Sequence, residues 1–130
     1  MDNFPIFLDI KDKPVLVVGG GDIAYRKIKL LIKSKPNIKV IAKKICSEIL
    51  DLEEKFSIKI VKKEFHVDDI EFPIIIIAAT NDKSLNKQIA KEGLRKKIPV
   101  NVVDQPSLCS FTMGSIVERG SLVISISSSG

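Results

Sequence analysis

The sequence predicts an α/β domain in which helices cover both faces of a parallel sheet, followed by a C-terminal β-hairpin-like segment. Three observations lead there. Apolar runs at residues 15–18, 38–42, 58–61, 73–79 and 98–104 are rich in valine and isoleucine, as strands buried on both faces are. Several of the segments between them repeat apolar residues at helical spacing. The resulting order, β-α-β-α-β-α-β, buries both kinds of element in a parallel sheet with right-handed crossovers.

Composition sets the outer bounds. A chain of 130 residues with 45% hydrophobic content forms one fold with a substantial core. Net charge is +5 and the pI about 9.2, which suits an anionic partner. The lysines are scattered over helices, without a dense basic run or an aromatic platform, so nucleic acid is not the expected partner. Cys46 and Cys109 stand far apart, outside any metal-ligand spacing, and read as free thiols of a reducing cytoplasm, with no metal site. The N-terminus lacks the pattern of a signal peptide, and no apolar run reaches membrane-spanning length.

Taken in order, residues 4–8 form an apolar lead-in to the first strand, residues 15–18. That strand stops at Gly19-Gly20-Gly21, and a helical pattern begins at Asp22. Strand, glycine turn and helix open a dinucleotide-binding unit, and G-x-G-x-x-A has its spacing. Gly19 permits a tight turn, Gly21 lets a pyrophosphate approach the backbone, and Ala24 lets the helix pack closely. The phosphate would meet unpaired N–H groups at the helix N-terminus. The helix keeps Ile23, Ala24, Ile28 and Leu31 on one side and ends at Pro36-Asn37. Such a unit places an acid about twenty residues past the glycines to hold a ribose hydroxyl. This chain has Lys43-Lys44 after its second strand. Backbone and lysine donors to the ribose, acceptance of a 2′-phosphate, and a solvated lysine pair all remain open on this pattern.

Ile45, Ile49, Leu52 and Phe56 recur at helical spacing, so a second helix precedes the third strand at residues 58–61. Residues 64–72 are irregular, with one helical turn at 67–70, and the single His66 reads as a turn residue. The fourth strand, 73–79, is followed by Thr80-Asn81-Asp82, which caps a helix running to about Lys96 and burying Leu85, Ile89 and Ala90. The fifth strand is 98–104. Ligands of such sheets collect at the carboxyl ends of the strands. Those ends bring Gly19 to Asp22, Lys43, Thr80, Asn81 and Asp104 to one edge, a Rossmann-type arrangement. Residues 111–117 and 121–126 then read as two strands joined at Glu118-Arg119-Gly120. The chain stops just after the second of them, as a truncated one would.

Residues 4–8 (FPIFL), 17–24 (VVGGGDIA), 78–82 (AATND), 101–104 (NVVD) and 108–111 (LCSF) come in an order that resembles the N-terminal domain family of siroheme synthases, across essentially all 130 residues. The glycine turn is common to many folds, whereas its combination with AATND and NVVD is far more specific. The resemblance implies NAD-dependent oxidation of precorrin-2 to sirohydrochlorin, in some members with sirohydrochlorin ferrochelatase activity. It implies Asp104 as the acid/base residue and an NAD site along Asp22, Ile23, Lys43 and Lys44. We expect Gly19, Gly21, Thr80, Asn81 and Asn101 to complete that site. Ser127 and Ser128 match serines beside the tetrapyrrole. By the same resemblance, residues 1–104 form the NAD-binding domain and 105–130 begin a dimerisation and substrate region, so the full-length protein would be a homodimer. Gly114 and Ser129 depart from the family pattern, where proline and glycine are common. The competing readings are metal chelation without redox chemistry and a non-enzymatic, nucleotide-binding regulatory domain.

Overall fold

The five apolar runs form one sheet from β1 (Pro14–Val18), β2 (Asn37–Ala42), β3 (Ile58–Lys62), β4 (Ile75–Ala78) and β5 (Val100–Val102). The computed structural model describes residues 1–128. All neighbouring strands are parallel, in the order β3-β2-β1-β4-β5. The direction of winding therefore reverses between β1 and β4, which opens a crevice at their carboxyl ends.

Alternation along the strands feeds two core layers. Val15 and Val17 of β1 join Val40, Ile75 and Ile77 beneath α1 (Asp22–Leu31) and α2 (Ser47–Glu53). Leu16, Val18, Ile76 and Ala78 face the other way, toward α3 (Lys83–Arg95), Phe65 and Ile70. Because both faces are covered, the strands read as continuous apolar runs rather than as alternation.

Several boundaries differ from the sequence pattern. In α1 the buried residues are Ala24, Ile28 and Leu31. Ile23, grouped with them by spacing, is 40% exposed. The helix tightens into a 3-10 turn, Ile32–Ser34, and stops at Lys35 in the left-handed region (φ 55). The second helix stops short of Phe56, which is 43% exposed. The turn at Val67–Asp69 forms as expected. The Asp69 carboxylate locks it, accepting from Lys63 Nζ at 2.6 Å and from the His66 N–H at 2.8 Å. Burial pushes the Asp69 pKa up, but these two hydrogen bonds together with the charges of Lys63 and Lys39 outweigh it and hold the group below its ordinary value.

The fifth strand is three residues long because its edge is paired with side chains rather than extended. Val100 N–H donates to Ser110 Oγ at 3.2 Å and Val102 N–H to Cys109 Sγ at 3.1 Å. These bonds close an edge that would otherwise present unpaired amides. The hairpin consists of β6 (Ser115–Arg119) and β7 (Leu122–Ile126), antiparallel, with Arg119 opposite Leu122. Its turn is therefore Gly120-Ser121, with Gly120 at φ 59, rather than residues 118–120. Its first strand starts late because Phe111 and Met113 pack onto the core, leaving residues 111–114 outside the ladder. Gly114 lies against the Ile126 carbonyl, where a Cβ would collide. Both hairpin strands are exposed along their whole length. Among the described residues no helix is long and apolar enough to cross a membrane.

Candidate functional site

The crevice between β1 and β4 widens into a cleft of about 1050 Å³, and the glycine turn forms its floor. Each glycine there has its own reason. Gly19 sits at φ 127, donates its N–H to Ile41 O at 3.0 Å, and would drive a Cβ into the Ala79 carbonyl. Gly20 lies under the loop after β2: Cys46 N–H donates to Gly20 O at 2.8 Å, and a Cβ on Gly20 would meet the Lys44 carbonyl. Sequence spacing offered Gly20 no role, since its neighbours Lys44 and Cys46 are brought in from 24 and 26 residues away by the β1–β2 pairing. A Cβ at Gly21 would have nothing within 4 Å.

Gly21 is also the N-cap of α1, so no side chain caps that helix. By contrast, α3 is capped by Asp82, whose Oδ1 accepts from Leu85 N–H at 3.1 Å. An uncapped first turn opening on empty space beside Gly21 fits a diphosphate held by backbone amides. At the opposite side of the cleft, Gln105 Oε1 is buried without a hydrogen-bond partner among the described residues. A ligand amide would satisfy that oxygen, since buried acceptors are nearly always paired. The residues present therefore fit a dinucleotide spanning the switch point.

Of the residues expected at the site, Gly19, Gly21, Asp22, Ile23, Lys43, Lys44, Thr80, Asn81 and Asp104 all line this cleft. Asp22 is engaged with Arg26 at 2.9 Å, one helical turn on. The Thr80 hydroxyl is already committed: it donates to Asn86 Oδ1 at 2.6 Å and accepts from Asp82 N–H at 3.2 Å. Asn86 returns a bond from Nδ2 to Thr80 O at 3.0 Å. Asn86 is buried on α3 and fastens the loop after β4, a role that spacing among Leu85, Ile89 and Ala90 did not reveal. Asp104 is exposed in the cleft at the end of β5, in the left-handed region (φ 60). Aspartate tolerates this conformation better than most residues.

Three expected residues lie elsewhere. Asn101 does not line the cleft. Val100 and Val102 pack into the α3-side layer, so the period of two turns Asn101 to the opposite face. There it is buried and donates from Nδ2 to Phe111 O at 3.0 Å, tying β5 to the segment that leads into the hairpin. Ser127 and Ser128 follow β7 and likewise do not line the cleft, because the hairpin leaves the sheet. Ser129 lies outside the described residues.

Residues 6–115 match a family model described as "Putative NAD(P)-binding". The chain belongs to this NAD(P)-binding family. It is also similar to full-length proteins named siroheme synthase. It is 49% identical over 130 residues to that of Ruthia magnifica subsp. Calyptogena magnifica, covering all of this chain and 28% of the relative. The corresponding protein of Zymomonas mobilis is 43% identical over 130 residues, with the same coverage of 100% and 28%. The chain thus spans less than a third of the length of these relatives. Among solved structures it is similar to SirC, a precorrin-2 dehydrogenase, with a TM-score of 0.82 and 32% identity, over 98% of this chain and 63% of the other.

Chemically, the cleft combines a backbone anion site at one end with a solvent-accessible carboxylate and an unpaired amide oxygen at the other. Lys43, Lys44 and Lys83 stand around it as cations. The arrangement suits a long, doubly anionic ligand whose far end must meet a proton acceptor.

Proposed function

We propose that this chain is the NAD-binding part of an enzyme that dehydrogenates precorrin-2 to sirohydrochlorin, with Asp104 as its acid/base residue. The observation that carries the reading is the meeting of the glycine turn and Asp104 in one cleft, within a chain similar over almost its whole length to a precorrin-2 dehydrogenase. The chemistry the cofactor supplies when bound is acceptance of a hydride at its nicotinamide ring. This chain's residues do the remainder. The amides of the glycine turn and of the first turn of α1 hold the diphosphate. Asn86, through Thr80, fixes the loop over the middle of the cleft, and Gln105 offers its oxygen beside Asp104. The Asp104 carboxylate accepts the proton that must leave the substrate carbon framework along with the hydride. Its exposure lets a polycarboxylate substrate reach it, and the net charge of +5 draws such a substrate in.

The hairpin supports a homodimer, since Ile116, Val117, Leu122, Val123, Ile124 and Ile126 are all exposed on it. We place Ser127 and Ser128 beside the tetrapyrrole, contributed by that hairpin's end rather than by the nucleotide cleft. Free thiols at Cys46 and Cys109 favour a cytoplasmic setting.

The test is incubation of the full-length protein with precorrin-2 and NAD, with and without metal ion, following absorbance. NADH should form without metal. Metal insertion without NADH would favour chelation alone, and nucleotide binding without turnover would favour a regulatory domain. Asp104→Gly isolates the carboxylate, because glycine accepts φ 60 without strain. This variant should stay folded and retain NAD affinity while losing about 10²–10⁴-fold in turnover. Turnover at the parental rate would reduce Asp104 to a turn residue.

A further inference from the structure

The acid that normally follows the second strand of a dinucleotide site, where it accepts from a ribose hydroxyl, is replaced in this chain by Lys43 and Lys44. The neighbouring strand supplies a carboxylate instead. β2 and β3 stay in register to Ala42 opposite Lys62, and Lys63 N–H donates to Ala42 O at 3.1 Å. The two chains therefore leave the sheet side by side, which brings Glu64 next to Lys43. Glu64 Oε1 lies 3.7 Å from Lys43 Nζ, and both residues line the cleft. The other carboxylates lining the cleft are occupied or distant: Asp22 pairs with Arg26, Asp82 caps α3, and Asp104 ends β5 beyond the switch point.

We propose that Glu64, reaching across the β2–β3 seam, is the acceptor for the adenosine ribose hydroxyls and the residue that selects NAD over NADP. The proposal rests on the reading of this cleft as a dinucleotide site. A 2′-hydroxyl gives Glu64 a donor. A 2′-phosphate gives it a second anion, and Glu64 also offsets the charge of Lys43 that would otherwise attract that phosphate. The lysine pair is thereby converted from an apparent NADP signal into a positioned partner of the discriminating acid. The loop carrying it is anchored, since Cys46 N–H is bonded to Gly20 O.

Calorimetric titration of NAD and NADP into the parent, Glu64→Gln and Glu64→Lys tests this directly. The Glu64 side chain is 80% exposed, so neither substitution disturbs packing. Glu71→Gln, an exposed change at the opposite end of the strands, controls for net charge. The parent should prefer NAD. Glu64→Gln should lower the ratio of NAD to NADP affinity by about ten- to a hundredfold, the worth of one hydrogen bond to a charged group. Glu64→Lys should lower it further, and Glu71→Gln should leave it unchanged. NAD binding with an unaltered ratio in Glu64→Gln, or a parent that prefers NADP, overturns this inference alone. A parent that binds neither nucleotide overturns the dinucleotide reading of the cleft, and this inference with it.

Discussion

Gly19 and Gly21 are two residues apart and have opposite sensitivities. Gly19 needs φ 127 and lies against the Ala79 backbone, so any side chain there strains both the turn and the β1–β4 approach. Gly19→Ala should cost about 2–4 kcal/mol of stability by chemical denaturation. Gly21 has φ −93, a value open to any residue, and faces empty space. Gly21→Val should therefore leave the unfolding midpoint nearly unchanged while weakening NAD binding by at least tenfold, through occlusion of the diphosphate position. Equal affinity in a folded Gly21→Val would detach the turn from nucleotide binding. The motif assigns Gly19 to the turn and Gly21 to the ligand, and the tertiary surroundings add the contacts that set the cost of a side chain at each.

At the scale of elements, two devices hold the loops at the sheet edges. The first is the Asn86–Thr80 latch between α3 and the end of β4. Asn86→Ala would leave the half-buried Thr80 carbonyl without its Nδ2 partner, at a cost of about 1–3 kcal/mol. It should also weaken NAD binding, since Asn86 lines the cleft with its amide bonded to Thr80, and a Thr80→Val variant should weaken it similarly. Loss of stability with unaltered affinity would make the latch purely structural. The second device is the Asp69 turn that carries the chain from β3 to β4. Its folded pKa lies below the ordinary value. The stabilisation is therefore complete above the unfolded aspartate value of about 3.9 and is lost as pH falls through the folded one. Asp69→Asn should cost about 1–2 kcal/mol at neutral pH, discounted for the partly exposed Lys63 partner. Denaturation midpoints of variant and parent should converge as pH drops below about 4. A difference independent of pH would mean that the ionised carboxylate is not what locks the turn.

At the scale of the whole molecule, the sheet and the hairpin have different degrees of completeness. Helices cover both faces of the sheet, and the side chains of Cys109 and Ser110 close its β5 edge. The hairpin buries almost nothing within this chain, although most of its residues are apolar. A two-stranded ribbon of this kind is marginal in water by itself and gains stability when its apolar side is covered. Ile124→Lys in the full-length protein should accordingly weaken self-association by sedimentation analysis, while NAD affinity stays at the parental level. An unchanged association constant would count against the hairpin as the surface of the proposed dimer.

The sequence by itself determined the elements whose signal is local. Valine- and isoleucine-rich runs, the glycine turn at Gly19 to Gly21 and the capping Asp82 specify strands, turn and helix starts through period and backbone chemistry, which need only near neighbours. Their order specified a parallel sheet, and the sheet rule placed Lys43, Thr80 and Asp104 at one edge. Tertiary structure alone decided whatever depends on which strands became neighbours and which face a residue took. Strand order brought Glu64 beside Lys43 and laid the loop after β2 over Gly20. Alternation on a three-residue strand turned Asn101 away from the cleft, side-chain pairing at the sheet edge shortened β5, and packing of Phe111 and Met113 onto the core delayed β6. The physical reason is common to all of these: hydrogen-bond partners and contacts from residues distant in sequence are selected by packing of the finished sheet, and no local pattern encodes them.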